Sequence, residues 1–80
     1  MNYSNKIYSG TTKQVAGANE QLYITAVVGK GAGSPATLAF GLLTDLTLTD
    51  NLVHTFEWPI VTKDFTPSTA DLQVIYYEGQ

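Results

Sequence analysis

The sequence predicts an all-β protein, a small antiparallel β-sandwich or barrel of about five to six strands. Threonine, valine and isoleucine fill 21 of the 80 positions, and their branched side chains favour a pleated chain over a helix. No window sets apolar residues at helical spacing between sensible caps. Glycine, proline, asparagine and aspartate recur between the β-rich runs, as expected of short strands joined by turns.

Taken in order, Ile7-Tyr8 followed by Ser9-Gly10-Thr11-Thr12 reads as one short strand and a turn. Residues 1–15 read equally as a flexible or strand-exchanging arm. Gly17-Ala18-Asn19 breaks the chain before a strong strand from Gln21 to Val28. Gly29 to Pro35 is a glycine-rich loop. The next strand, Ala36 to Leu42, puts Ala36, Leu38 and Phe40 on one face. Its other face, Thr37, Ala39 and Gly41, is small enough for another layer to come close.

Leu43 to Asp50 alternates, with Leu46 and Leu48 on one side. A turn at Asp50-Asn51 predicts a hairpin with Leu52 to Val61. A three-residue loop is the preferred register, since it gathers Leu46, Leu48, Leu52, Phe56, Trp58 and Ile60 on one face, with His54 beside Leu46. Pro59 has no N–H to donate, so its strand lies at an edge or is bulged there. Lys63 to Thr69 reads as a turn-rich connection, and Ala70 to Glu78 as the final strand.

Eighty residues make one domain, which buries only roughly 60–65% of its unfolded surface. Without cysteine, neither a disulfide nor a thiolate metal site can staple so small a core. Two runs are nonetheless apolar on both faces: Leu22 to Val28 and Leu72 to Tyr77. A strand in a small sandwich has one inner face and one wet face. These runs ask for a second covering surface, and a partner subunit is the simplest supplier.

Four lysines, no arginine and seven acids give a net charge of −3. Scattered lysines do not form the basic patch that nucleic acid needs, and the same balance speaks against anionic membrane surfaces. No apolar run is long enough for a membrane-spanning helix. The N-terminus lacks the basic-then-apolar order of a signal peptide, so either export does not use that route or a leader has been removed. The compartment stays open.

Candidate chemistry is sparse. Gly29-Lys30-Gly31-Ala32-Gly33 has its lysine ahead of most glycines and a strand after it, unlike a phosphate-binding loop, which leads into a helix. His54 is the single histidine; metal ligation needs several donors, so it reads as a core or interface residue. Asp45, Asp50 and Asn51 are too sparse for a calcium loop, and Asp64 and Asp71 suit turns. Glu57 with Asp45 or Asp71 as a glycosidase pair would need a cleft for which this chain has little room. No catalytic residue, metal or cofactor is expected.

The aromatic residues carry the sharper expectation, because such side chains dominate interfaces and also form platforms for sugars. Period-2 alternation points Tyr23, Val27, Ile75 and Tyr77 outward as an interface. The chain therefore reads as a non-catalytic, self-associating structural subunit, a building block of a filament, coat or ring and a homo-oligomer. The alternative is a small binding module for a carbohydrate or a protein, using Trp58, Tyr76 or Lys30.

Overall fold

In a computed structural model of the chain, the described residues are 4–29, 35–49 and 51–80. They form eight strands and no helix: β1 (Lys6–Ser9), β2 (Gln14–Val15), β3 (Gln21–Val28), β4 (Ala36–Phe40), β5 (Leu46–Leu48), β6 (Val53–Thr62), β7 (Asp64–Pro67) and β8 (Gln73–Gly79). The front sheet has the order β1-β8-β3-β6 and the back sheet β2-β7-β4-β5. Every pairing is antiparallel, and the two sheets pack as a small β-sandwich.

The apolar runs supply the core. β3 contributes Leu22, Ile24 and Val27, and β8 contributes Val74 and Tyr76. Ala36, Leu38, Leu48 and Phe65 face them from the back sheet. Ala36 pairs with Leu48 and Leu38 with Leu46, so the inward face expected for the fourth strand holds. Phe65 lies fully buried between two tyrosines of the front sheet. Its ring meets Tyr76 edge-on at 5.2 Å and Tyr8 at 6.1 Å, the T-shaped geometry that aromatic quadrupoles favour. Tyr8 also receives the Thr12 amide on its hydroxyl at 2.9 Å, which shapes the corner between β1 and β2. Gly10 belongs there because a Cβ would stand 2.5 Å from that hydroxyl.

β7 departs from the expected turn-rich connection. Asp64 and Pro67, read as turn residues, bracket a strand whose Phe65 and Pro67 point into the core. The step from β6 to β7 takes one residue, Lys63. It is held by the buried Thr62 hydroxyl, which donates to the Asp64 carbonyl at 2.7 Å.

The expected hairpin between the fifth and sixth strands is absent among the described residues. β5 pairs with β4 and β6 with β3, so the chain changes sheet between them. Asp50, half of the expected turn, lies outside the described residues. Leu46 and Leu48 reach the core region as expected, but Leu52 and Trp58 are exposed. His54 stands opposite Val27 rather than beside Leu46.

Pro59 sits where its missing N–H predicts, on an edge strand and inside a bulge. The register of β3 jumps from Ile24 to Ala26, leaving Thr25 as an extra residue against β8. Opposite the same point, β6 jumps from Ile60 to Thr55 and leaves residues 56–59 out of the ladder. The Thr25 hydroxyl donates to the Ile75 carbonyl at 3.2 Å. A bulge of this kind resets which side each later residue faces. Val27 is therefore not an outward interface residue: it is 0% exposed, packed opposite Val74. Ala26 and Val28 take the outer positions instead.

Phe65→Ala should cost about 3–5 kcal/mol, comparable with the whole stability of so small a domain, and abolish a cooperative thermal transition in circular dichroism. Leu42→Ala, at a side chain 96% exposed, should leave the melting curve unchanged within about 0.5 kcal/mol.

Candidate functional site

The outer face of the front sheet gathers most of the side chains singled out by the sequence. One row across it runs Ile7, Ile75, Ala26, Thr55. The next runs Tyr77, Tyr23, Val61, and on the other side Ser9, Gln73, Val28, Val53. None of these residues carries a charge. Ile7 is 66% exposed and Val53 61%, so no element among the described residues covers these two ends of the rows. The rims are open and the centre is partly shielded by its own neighbours.

Beside the central row, on the two middle strands, stands a preformed aromatic pair. Tyr23 and Tyr77 are directly opposite each other on β3 and β8, and their rings stack at 4.9 Å with 10° between planes. The Tyr23 hydroxyl donates to the carbonyl of Gln80 at 2.7 Å, which fixes the ring through its polar end. Of the expected interface residues, Tyr23, Ile75 and Tyr77 are brought together here, and Val27 is not.

The expected ligand residues scatter. Tyr76 lies in the core, 8% exposed, because the residue after it on β8 takes the outer position; it is not available to a sugar. Trp58 is 81% exposed within the bulged stretch of β6. Lys30 lies outside the described residues. Among the described residues no group of three or more potential metal ligands comes together.

Beside Val61, the bend at 41–43 encloses a cavity of about 190 Å³, lined by Leu42, Leu43, Gln21, Lys63 and Asp64 among others. Its charged groups are already engaged. The Lys63 ammonium donates to the carbonyls of Glu20 (2.6 Å) and Gly17 (3.2 Å), and Asp64 lies 3.8 Å from Lys13. The cavity therefore extends the apolar face around the Val61 edge.

Beside this cavity, a turn at Gly17–Glu20 is latched to β8. Asn19 adopts the left-handed conformation, φ 63°, which asparagine tolerates better than most residues. The Gly17 amide donates to Glu78 Oε2 at 2.8 Å. Glu20 and Glu78 are hydrogen-bonded to each other. This bond, with burial and the neighbouring negative charge, raises the Glu20 carboxyl above its ordinary range, against the pull of Lys6 and Lys63. The Gly17 amide, then the Glu20 contact and the same two lysines, lower Glu78. Where the two carboxyls share one proton, these opposite shifts favour it on Glu20. Sequence reasoning missed this pair, because residues 20 and 78 meet only through the pairing of β3 with β8.

No family model, curated protein or solved structure matches this chain.

The carboxyl pair sets a pH dependence. The lowered Glu78 contributes stability that grows as pH rises through its folded value towards the ordinary glutamate range near pH 4.3. The raised Glu20 contributes stability that is complete below that range and is lost as pH rises through its own folded value. Melting temperature should therefore show a shallow local maximum at mildly acidic pH, small because both groups are partly exposed. In Glu20→Gln the amide donates to Glu78 at every pH, so the decline above the maximum should vanish in melts recorded from about pH 3 to 7.

Proposed function

We propose that this chain is a non-catalytic, self-associating β subunit whose contact surface is the outer face of the front sheet. One observation supports the reading above others: β3 and β8, the middle strands of their sheet, are apolar on both faces, and among the described residues a second sheet covers only one of them. The Tyr23–Tyr77 stack, the exposed Ile7 and Val53 and the absence of charge from the paired rows describe a surface suited to contact rather than to proton transfer. Soluble monomers rarely leave such a patch open unless it is used.

The exposed Trp58 favours a second reading, a small binding module for a neutral carbohydrate. An indole open to solvent offers a sugar the apolar platform that Tyr76 cannot.

Light scattering over about a hundredfold dilution separates the two, because mass action makes association depend on concentration. Self-association predicts a mass above one chain that falls on dilution, and Tyr77→Asp should weaken association while leaving the far-ultraviolet dichroism unchanged. A monomer at every concentration rejects it. The binding module predicts saturable quenching of Trp58 fluorescence by neutral oligosaccharides, lost in Trp58→Ala; a flat titration rejects that reading.

A further inference from the structure

We infer that the outer face of the front sheet is covered by a second copy of this chain, and that the two copies close as a two-fold pair instead of extending into a filament. This rests on the self-association reading and narrows it.

The charge distribution identifies the occupant. At a net charge of −3, two copies repel over most of their surfaces. The paired rows of this face hold no charged residue, and its exposed acid, Glu57, lies in the bulged stretch of the edge strand β6, so a copy brought against the rows themselves meets neither like charge nor an ion to be stripped of water. A strongly charged partner would gain no ion pair there. The same uncharged patch on both molecules can meet itself across a two-fold axis, with the aliphatic residues Ile7, Ile75, Val28 and Val53 and the tyrosine pair supplying the contact. Tyr23 and Tyr77 are already stacked, with the Tyr23 hydroxyl tied down, so little side-chain freedom remains to be lost on docking.

The area sets the strength. Four strands spaced by about 4.8 Å and about seven residues long at about 3.3 Å each give a face of roughly 19 by 23 Å, or about 450 Å². That is below the roughly 800 Å² per partner of a standard stable interface. Val61 belongs both to the face and to the cavity wall, so Leu42 and Leu43 add apolar surface at its edge. The pair is accordingly a weak, concentration-dependent dimer.

The sheet edges decide against a filament. A growing β-filament adds strands at edges, which must offer regular unpaired backbone. β6 is interrupted over 56–59 and contains Pro59. The back sheet ends in β2, two residues long, and β5, three residues long. Only the four-residue β1 presents an ordinary edge, and two β1 strands meeting across a two-fold axis would also stop at two. One isologous contact used alone closes at two; an open polymer needs a second contact on the same chain, heterologous or isologous.

The test is sedimentation equilibrium of the whole chain with variants on opposite faces. Val61→Lys and Val53→Lys place a charge on the front face, away from β1. Thr47→Lys makes the same charge change on the exposed outer side of β5, and circular dichroism checks that each variant folds. The wild type should fit a monomer–dimer equilibrium. Either front-face variant should weaken it at least about tenfold, since an unpaired charge would be buried, and Thr47→Lys should change it by less than about twofold. Species that grow beyond the dimer with concentration would overturn closure while leaving self-association standing. A dimer indifferent to both front-face variants would overturn the face and direct attention to the β1 edge. A monomer throughout would overturn the inference and the reading beneath it.

Discussion

The packing of Phe65 between Tyr8 and Tyr76 is the contact on which the two sheets depend. β7 joins the back sheet through β2 and β4, while β1 and β8 are neighbours in the front sheet. One ring from the first thus meets rings from two strands of the second. In a domain with no cysteine and few large core residues, this cluster supplies much of the apolar area that must be buried. It also holds β1 in place, because Tyr8 is the inward residue of a strand otherwise exposed. Losing the central ring would loosen both sheets together.

The path of the chain makes such contacts necessary. Among the described residues, β4 and β5 are the sole consecutive strands that pair with each other; at the other steps between strands the chain crosses to the opposite sheet. Pairings between distant segments must form before they reward the loops that close them, so the topology belongs to the slower-folding class of β proteins. The one-residue link at Lys63 and its Thr62 hydroxyl bond keep one of these crossings short.

This path also explains what could be read from the amino acids. The runs at 21–28, 36–40 and 72–77 declare themselves by branched and aromatic residues, and Pro59 announces its own edge. The identity of these strands is a local property, legible in their own residues. Partnership is not: Asp50-Asn51 between two alternating runs looks like a hairpin whichever sheet the second run joins. β7 was hidden because Asp64 and Pro67 are ordinary turn residues, and only the tertiary position of Phe65 makes a strand of them. Val27 was misplaced for a related reason. Thr25 carries no glycine-like mark of a bulge, so counting by twos past it exchanges inside for outside. Tyr23 kept its expected side because it precedes the bulge, and Ile75 and Tyr77 kept theirs because β8 carries no extra residue of its own.

The two outer faces of the sandwich differ in a way that matters for water. The outward positions of the back sheet include Thr37, Ala39, Thr47 and Thr66, small side chains rich in hydroxyls. Two chains joined through their front sheets would turn these faces outward on both sides. To its surroundings the pair would look like a thin slab coated in threonine, easily wetted, with the Tyr23–Tyr77 stack enclosed. Such a coating offers little for a third molecule to grip.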